Sequence, residues 1–350
     1  MRIGKVHIVG AGLIGGSMSL RLSELKIIHS ITDSNPEPMT TLKEKGSAAT
    51  SLSASEVDLV LIAVPPEQVL AEIVSALDKF PRAIVSDVAS VKASFESEIV
   101  KGSQSHRYVG SHPMAGKEIS GAGGADPSLF VDRIWIVCEN STNRESAKSL
   151  SDFIIEFGSV PVSVPASEHD SIVAYISHLP QLVSSNLAEV CVDSGANLEV
   201  AGPAFRDMTR IAVSSPSLWA QILMANRHNV VKALDRYQEN LSQMRDLLAH
   251  GTSAEVAERL VTSSQKASHL PGKHGGKLTK FAAIKILVPD KPGALAAAFA
   301  LAGEIDLNIE DVSIDHVLNK PVAILSILVA ENEHQRARAA FKDAGWEIRE

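Results

Sequence analysis

One histidine of the sequence lies in a segment with unusual backbone constraint. His112 belongs to the run Gly110-Ser-His-Pro-Met-Ala-Gly-Lys-Glu118. The glycines permit dihedral angles closed to other residues, and Pro113 fixes its own φ and biases His112 toward an extended conformation. A rigid hinge that presents one imidazole suits proton transfer near neutral pH. His112 is therefore the first candidate for a catalytic base, although an isolated histidine more often only satisfies a hydrogen bond in a turn.

Two arginines further along the chain could bind an anion. Arg206 and Arg210 lie four residues apart and would share one face of a helix. An arginine fork binds a carboxylate through two hydrogen bonds, so the pair indicates an anionic substrate. Pairing with surface acids such as Asp207 or Glu199 is the alternative, and for Arg206 it is the favoured one.

A glycine-rich turn near the N-terminus predicts a dinucleotide site. A strand from Lys5 to Val9 leads into Gly10-Ala-Gly-Leu-Ile-Gly-Gly-Ser17, which opens a helix to about Leu25. Such glycines allow a tight turn, close approach of the backbone to a pyrophosphate, and close packing of helix on strand. The predicted cofactor contacts in this turn are Gly10, Gly12, Leu13, Ile14 and Gly15.

Asp33 indicates which dinucleotide the turn binds. It ends a second strand, near Ile27 to Thr32, at the distance expected of an acid that hydrogen-bonds the ribose hydroxyls. Neither Lys nor Arg follows until Lys43, so a 2′-phosphate would lack a cationic partner and NAD is predicted rather than NADP. A turn-forming aspartate is the alternative.

Two further apolar strands complete the predicted parallel sheet, at Val57 to Val64 and at Ala83 to Val85. Their carboxyl ends should line the cofactor crevice. The candidates there are Ala63, Val64, Pro65, Asp87 and Ser90. Ser90 could instead be the N-cap of a following helix. Strands are also predicted at Tyr108 to Val109, just before the hinge, and at Ile134 to Cys138.

Beyond about Val164 the pattern becomes helical. Pro180 interrupts an apolar stripe that starts at Ile172, which predicts a kink that aims His178 and Gln181 at a site. A helix boundary with a capping histidine is the alternative. A second helix is predicted from Ser217 to Gly251, with a long apolar seam that indicates a homodimer interface or packing within one chain. The seam residues are Leu234, Tyr237, Leu241, Met244 and Leu248.

Composition limits the classes of function. The chain has 350 residues, 45% hydrophobic and 21% charged, with a net charge of -8. This charge argues against general binding to nucleic acid or anionic membranes. The apolar runs are too short to span a bilayer, and no secretory signal is recognised. Two cysteines in unrelated segments, Cys138 and Cys191, predict a reducing compartment and no metal site, so cytoplasm is expected.

Several separated motifs together resemble the prephenate dehydrogenase family, which also includes arogenate dehydrogenases, over most of residues 3–250. They are Gly10-x-Gly12-Leu-Ile-Gly-Gly-Ser17, Asp87-x-x-Ser90-Val-Lys92, Gly110-Ser-His-Pro-Met-Ala-Gly116, His169-Asp170, Ser177-His-Leu-Pro180, and Phe205-x-Asp207-x-Thr209-Arg210-Ile-Ala212. The resemblance implies NAD-dependent oxidative decarboxylation of prephenate to 4-hydroxyphenylpyruvate, in tyrosine biosynthesis. It also implies that His112 accepts a hydrogen bond from the substrate's C4 hydroxyl, that Arg210 binds a carboxylate, that Ser90 helps orient the site, and that Trp219 lies near the substrate.

One position departs from the family pattern. Some members have a second histidine after the His-Leu-Pro run, where this chain has Gln181. Glutamine cannot become cationic near neutral pH, so it binds a carboxylate more weakly and accommodates an ammonium group better. His178 and Gln181 are both predicted substrate contacts, and the choice between prephenate and arogenate stays open.

The C-terminal residues predict a third domain. Residues 266–280 are typical of a linker, and 281–350 follow a βαββαβ order, the split ferredoxin-like arrangement. The run Val288-Pro-Asp-Lys-Pro-Gly-Ala-Leu295 resembles the start of an ACT domain, which implies self-pairing and amino-acid binding, with L-tyrosine as the expected effector. The predicted ligand residues are Asp290, Pro292, Gly293, Ala294, Leu295 and Asn308. A purely structural dimerisation module is the alternative.

The expected architecture is an α/β Rossmann-like dinucleotide-binding domain (1–165), an all-α substrate and dimerisation domain (166–265) and the C-terminal ACT domain. Two other functions remain possible on the residues alone. A β-hydroxyacid dehydrogenase would need a helical-domain lysine, for which Lys232 is available without a recognisable motif. A non-enzymatic sensor of NAD and an amino acid is the other.

Overall fold

The computed structural model describes residues 2–117, 119, 121–268, 281–316 and 320–349. Most of the predicted linker, residues 269–280, lies outside the described residues, as does Glu118. The chain forms two compact units, Met1–Asn240 and Leu241–Glu350. The domain boundaries drawn from the sequence remain predictions.

A parallel four-stranded sheet with alternating helices opens the first unit. Its elements are β1 (Lys5–Val9), α1 (Leu13–Glu24), β2 (Ile28–Thr32), α2 (Glu37–Glu44), β3 (Leu59–Ile62), α3 (Pro66–Lys79), β4 (Ile84–Asp87) and α4 (Ala93–Ile99). The strands lie in the order β2-β1-β3-β4. The order reverses between β1 and β3, and at such a point the carboxyl ends of the strands leave a crevice for a ligand. The Rossmann-like prediction is confirmed.

A second, three-stranded sheet carries the histidine of the predicted hinge. It contains β5 (Ser111–Pro113), β6 (Ile134–Val137) and β7 (Val160–Ser163), with α5 (Arg144–Phe157) between the last two. His112 pairs with Ile136 in the antiparallel β5–β6 ladder, so it lies in a strand and the hinge prediction is wrong in form. The strand predicted at Tyr108 to Val109 is reduced to a single bridge from Tyr108 to Val85.

The parallel sheet is buried on both faces, as its continuous apolar strands predict. Leu59 and Leu61 of β3 belong to a core with α1 and α5. Val60 and Ile62 of the same strand belong to a second core with α3 and α4. Alternate residues of one strand point to opposite faces, so each β3 side chain is committed to one of the two layers.

Two junctions of the helical segment, at a π-helical turn and at Asn226, bear on the sequence predictions. Its helices are α6 (Ala166–Val173), α7 (Leu179–Asp193), α8 (Pro203–Thr209), α9 (Pro216–Ala225), α10 (Arg227–His250) and α11 (Ser253–Ala267). A π-helical turn, Ala174–His178, joins α6 to α7 immediately before Pro180. The helix predicted from Ser217 to Gly251 is wrong as a single element, because Asn226 separates α9 from α10. No helix among the described residues is both long enough and apolar enough to cross a bilayer.

The second unit ends in a four-stranded antiparallel sheet. The elements are β8 (Phe281–Pro289), α12 (Ala294–Glu304), β9 (Asp311–His316), β10 (Val322–Ala330), α13 (Glu331–Asp343) and β11 (Ile348–Arg349). The strands lie in the order β11-β8-β10-β9. Alternate residues of β10, such as Leu325 and Ile327, are buried in a core with α12 and α13.

Candidate active site

Two glycines of the glycine-rich turn have no room for a side chain, whereas a third faces open space. Gly10 has φ +99°, and a Cβ there would lie 2.4 Å from the Ala63 carbonyl oxygen. A Cβ on Gly15 would lie 1.9 Å from the Gly10 carbonyl oxygen. A Cβ on Gly12 would meet no atom within 4 Å. Gly10 and Gly15 are therefore required by packing, whereas Gly12 faces space that a ligand can occupy.

The other predicted cofactor residues surround this turn. Asp33 accepts the backbone N–H of Ala11 at 2.6 Å and that of Asn35 at 2.8 Å, so it forms a turn and also faces the glycine loop. Leu13, Ile14 and Ala63 are half-buried against the first core, Val64 against the second, and Pro65 is exposed before α3. This places them at the carboxyl ends of β1 and β3.

Asp87 does not face the crevice, which corrects its assignment as a cofactor contact. Its side chain is fully buried and forms an ion pair with the equally buried Lys92. The Tyr108 hydroxyl donates to its other carboxylate oxygen at 2.8 Å. Burial, followed by the charge of Asp87, raises the pKa of Tyr108 well above its usual value. The pattern of strand-end positions could not reveal that the Asp87 carboxylate pairs with a buried lysine five residues later.

The start of α4 is held by a carboxylate from another part of the chain. Asp170 Oδ1 accepts the Lys92 N–H at 2.8 Å, and Oδ2 accepts the Ala93 N–H at 2.9 Å. The N-cap interpretation of Ser90 is therefore wrong, because the helix begins at Ala93 and Asp170 binds its first amides. Ser90 lies half-buried in the segment between β4 and α4.

Three side chains form a continuous line from this carboxylate to His112. His169 Nδ1 lies 2.8 Å from Asp170 Oδ1. The Nε2 atom of the same ring lies 2.9 Å from His112 Nδ1. His169 is fully buried, while the His112 ring is partly exposed. His112 is thus fixed through Nδ1, and its Nε2 atom is the one left for a ligand.

Asn226, at the break between α9 and α10, binds the π turn. Its Nδ2 atom donates to the Asp170 carbonyl at 2.7 Å and lies 3.2 Å from His178 Nδ1. The opposite ring atom, His178 Nε2, is buried without a hydrogen-bond partner among the described residues. The Trp219 ring stands edge-on to His178, with the ring centroids 6.1 Å apart. The capping-histidine alternative is wrong, because His178 continues the helical path and caps no amide with its side chain.

Gln181 connects α7 to the turn that carries the predicted carboxylate-binding arginine. Its Nε2 atom donates to the Ile211 carbonyl at 3.0 Å, whereas its Oε1 atom is buried without a partner in the described chain. Arg210 is exposed at the start of the 3-10 turn Arg210–Val213. Arg206 bonds the Ala201 carbonyl oxygen at 3.4 Å and pairs with neither predicted acid.

Two histidines of the site, His112 and His178, are held neutral by their surroundings. Burial lowers the pKa of His112 well below its usual value, and the neighbouring His169, Lys92 and His178 lower it further. Burial also lowers the pKa of His178 to about 4. At neutral pH the His112 ring therefore has an unprotonated nitrogen, which a base needs, whereas the unprotonated Nδ1 atom of His178 faces the Asn226 Nδ2 donor and leaves Nε2 as an N–H donor.

The structure brings His112 and His178 together and ties Gln181 to the arginine turn. It adds three residues whose contacts were not predicted, namely Lys92, Asp170 and Asn226. Lys92 and Asp170 stand in the motifs quoted above, but contacts across 78 residues, as between Lys92 and Asp170, leave no periodic signal in the sequence. Asn226 lies within an apolar helical pattern that gives no sign of a break.

Two family models match the chain in adjoining segments. The prephenate dehydrogenase nucleotide-binding domain matches residues 26–163, and the prephenate dehydrogenase dimerization domain matches residues 165–262. The chain belongs to the prephenate dehydrogenase family. The family resemblance drawn from the motifs is thereby confirmed, and the two matched segments correspond to the α/β and helical parts described above.

Individual relatives give the same family. A prephenate dehydrogenase of Bacillus subtilis is 26% identical over 357 residues, which cover 96% of this chain and 95% of that protein. A cyclohexadienyl dehydrogenase of Zymomonas mobilis is 31% identical over 61% of this chain and 74% of its own length. The crystal structure of prephenate dehydrogenase from A. aeolicus with hydroxyphenyl propionate and NAD+ is 26% identical, with a TM-score of 0.67, and covers 76% of this chain and 98% of that one.

Proposed function

We propose that this protein is an NAD-dependent prephenate dehydrogenase, which converts prephenate to 4-hydroxyphenylpyruvate and carbon dioxide. The observation that carries the proposal is the neutral His112 ring, held at Nδ1 by His169. Its neighbour Ser111 donates to the carbonyl of Asp87, the last residue of β4, at 2.9 Å. His112 therefore lies at the carboxyl edge of the parallel sheet, where ligands of such folds bind.

The reaction requires few groups from the protein. The C4–H bond of prephenate breaks with its electron pair, and NAD+ supplies the acceptor for that hydride. His112 Nε2 takes the proton of the C4 hydroxyl, so that a ring ketone forms. The ring carboxylate then leaves as carbon dioxide, its bonding electrons restore the aromatic ring, and the C4 oxygen recovers the proton from His112. Because aromatisation drives the reaction, the protein mainly positions the partners and removes one proton.

The crevice fits NAD by its shape and its charge. The open space at Gly12 admits a pyrophosphate next to the start of α1. Asp33 lies at the end of β2, where an acid meets the ribose hydroxyls, and no cation stands in the eight residues between Asp33 and Leu42 to pair with a 2′-phosphate. Ala63, Val64 and Pro65 provide the opposite wall.

The substrate is expected between the base and the helical segment. Arg210 would bind a carboxylate, His178 would offer its unpartnered Nε2 atom, and Trp219 would cover the ring. Ser90 would help to orient the site.

The function is tested by following NADH formation with prephenate, arogenate and a simple hydroxy acid, each with NAD and NADP. Turnover of prephenate with NAD is expected. Turnover of the hydroxy acid alone would favour a β-hydroxyacid dehydrogenase, and silence with every pair would favour a sensor. In the His112→Asn variant, kcat should fall by about 10²–10⁴-fold with little change in NAD binding. Near-normal turnover of that variant would reject the base.

Arogenate is a second candidate substrate because of Gln181. Its buried Oε1 atom has no partner among the described residues, and an amide oxygen accepts from an ammonium group but not from a carboxylate. Arogenate carries an ammonium group where prephenate has a ketone. If Gln181 makes this contact, Gln181→Leu should lower kcat/KM for arogenate by about tenfold more than for prephenate. An equal loss for both substrates would remove Gln181 from the specificity site.

A homodimer is proposed from the apolar faces of the helical segment. Val190 and Val192 of α7 and Val213 of the 3-10 turn are 64%, 59% and 81% exposed, so this segment leaves apolar side chains at its surface. The match to a dimerization domain supports the same proposal. Light scattering coupled to size-exclusion chromatography should give about twice the 37.3 kDa of one chain. A species of one chain's mass would defeat the proposal.

Residues 281–350 are proposed to form an ACT domain that binds L-tyrosine. A cavity of about 630 Å³ lies beside the β8–α12 loop, and three of the predicted ligand residues, Pro292, Gly293 and Ala294, line it. Lys291 also lines it and supplies a positive charge for the carboxylate of an amino acid, whereas Glu347, which lines it too, pairs with Arg349 at 2.7 Å. Three predicted ligand residues do not line the cavity: Leu295 packs against the core, while Asp290 and Asn308 are exposed.

L-tyrosine inhibition is tested by kinetics at saturating tyrosine. Lys291→Ala should weaken inhibition by about tenfold, because the carboxylate loses its ionic partner. Lys285→Ala is the matched control, since Lys285 is an exposed lysine on β8 outside the cavity. Unchanged kinetics with tyrosine, or equal effects of both substitutions, would leave this unit as a structural module.

A further inference from the structure

His112, His169 and Asp170 are joined by two hydrogen bonds, and which atom donates in each bond affects the reactivity of His112. We propose that His169 and Asp170 are positioning residues that hold His112 in the tautomer protonated at Nδ1, which leaves the Nε2 lone pair for the substrate proton. The inference rests on the proposed role of His112 as the base, and it adds the two residues that make that role possible.

The direction begins at Asp170. An ionised carboxylate only accepts hydrogen bonds, and Asp170 accepts three, from the amides of Lys92 and Ala93 and from His169 Nδ1. His169 Nδ1 must therefore carry a proton. In a neutral ring the other nitrogen is then an acceptor, so His169 Nε2 accepts from His112 Nδ1 across 2.9 Å.

The acceptor role of His169 Nε2 determines which nitrogen of His112 carries the proton. His112 donates from Nδ1, so its proton is placed on that atom and its Nε2 atom is unprotonated. Water does not determine which nitrogen is protonated, because His169 is fully buried and Asp170 is 4% exposed. Two amides at the start of α4 thus determine, through one carboxylate and one imidazole, which nitrogen of His112 is basic.

The charged groups around His112 make this support necessary. Lys92 from the start of α4 and His178 from the π turn both disfavour a cationic His112. Lys92 itself forms an ion pair with the buried Asp87. Once the substrate proton arrives at Nε2, the Nδ1–H bond toward His169 and Asp170 is the contact that stabilises the cationic ring.

Asp170→Asn tests the direction. Asp170 Oδ1 is the shared acceptor for the Lys92 N–H and His169 Nδ1, whereas Oδ2 accepts only the Ala93 N–H. The tautomer changes where the NH₂ group of the asparagine takes the Oδ1 position, so that it meets His169 Nδ1 as a donor while the amide oxygen keeps the Ala93 N–H. His169 would then be protonated at Nε2 and would donate to His112 Nδ1, so that His112 would be protonated at Nε2 and unable to accept. We expect kcat to fall by about 10³-fold, with KM and NAD affinity within about threefold of wild type.

Asp58→Asn is the matched control. Asp58 Oδ2 also accepts two backbone amides from a distant segment, those of Gly4 and Lys5, at 2.9 and 3.0 Å. Asp58→Asn should therefore show how the loss of a carboxylate that binds backbone amides affects the fold, while its kcat stays at the wild-type value. Because Asp170→Asn could also weaken α4, His169 is varied in parallel. His169→Gln retains an acceptor for His112 Nδ1 and should retain about tenfold more kcat than His169→Leu.

The tautomers are read directly by ¹⁵N spectra of the histidine side chains in the full chain, which need no turnover. Wild type should show Nδ1–H and an unprotonated Nε2 on both His112 and His169, and Asp170→Asn should show the opposite on both. A wild-type His112 protonated at Nε2 would overturn the proposal, and so would equal kcat values for His169→Gln and His169→Leu. If no substrate is turned over, the proposed function fails, but the spectra still decide whether the positioning pair exists.

Discussion

At the scale of single residues, Lys92 is a charged side chain that is fully buried and therefore depends on its ion-pair partner. Its side chain is fully buried, and its ion pair with Asp87 is shielded from water. Removing one partner of such a pair leaves an uncompensated charge in a medium of low polarity. The structure therefore predicts that this lysine contributes to stability as well as to the electrostatics of His112.

Lys92→Met should lower the free energy of unfolding by about 3–5 kcal/mol, because the buried Asp87 carboxylate would lose its cationic partner and keep only uncharged donors, the Tyr108 hydroxyl and the Ala89 N–H, among the described residues. Urea unfolding measures the loss. Lys101→Met is the control, since Lys101 pairs with Glu98 at the surface, where such pairs contribute at most about 1 kcal/mol. Equal losses in the two variants would mean that the Lys92 pair is solvated.

The glycines of the turn should separate stability from cofactor binding. Gly12→Ala meets no protein atom, so the fold should tolerate it while NAD affinity falls by about tenfold or more, because the new methyl group takes ligand space. In Gly15→Ala the new Cβ would instead clash with the Gly10 carbonyl oxygen, so this variant should unfold at a lower temperature than wild type. Titration with NAD+ and thermal melts measure the two effects; normal NAD affinity in Gly12→Ala would place the pyrophosphate elsewhere.

Residue types and spacing located part of this site and missed part of it. The glycine turn, Asp33, His112 and His178 follow from local patterns, because each is defined by its immediate neighbours in the chain. Asp87 was misassigned because strand position alone cannot distinguish a crevice carboxylate from one neutralised beneath the sheet. Asp170 acts on α4 across 78 residues, and only the folded chain reveals that contact.

At the scale of elements, the strands were better predicted than the helix boundaries. Continuous apolar runs identified β1 to β4, since a strand buried on both faces needs apolar residues throughout. The separation of α9 from α10 was missed because Asn226 is stabilised in the interior by tertiary contacts, to the Asp170 carbonyl and His178. No local rule of helix capping places a break there.

Asn226→Ala should therefore have an effect on several elements at once. It removes two buried hydrogen bonds and leaves the Asp170 carbonyl and His178 Nδ1 without this donor, so a loss of about 1–3 kcal/mol is expected. Asn186→Ala is the control, because Asn186 is exposed and bonds only the Leu182 carbonyl of its own helix. Chemical denaturation compares them, and an unchanged midpoint for Asn226→Ala would show that the junction is held by packing alone.

At the scale of the whole molecule, buried histidines couple folding to pH. Burial lowers the pKa of His7 to about 4, that of His178 to about 4, and that of His29 below its usual value. The unfolded chain binds protons on these rings near pH 6.5, whereas the folded chain does not. Stability from the neutral rings is therefore fully present above about pH 6.5 and is lost as the pH falls toward 4.

The loss should be on the order of 3 kcal/mol for His7 once the pH reaches its folded-state pKa. Urea midpoints between pH 7 and pH 4.5 measure it. His7→Gln removes one titrating ring and should flatten the decline, although it lowers stability at pH 7 through the lost contact with Ser30. A decline of the same slope in both proteins would assign the acid sensitivity to other groups.

The π turn at Ala174–His178 amounts to an extra residue within an otherwise α-helical path. Deleting one residue from this turn would allow regular α-helix from α6 into α7 and would rotate everything that follows by about 100°. His178, Gln181 and Ser184, which are buried on one side of the path, would then turn away together. Substitutions can alter these side chains one at a time, but the length of this segment sets the position of all three, so its chain length is itself under functional constraint.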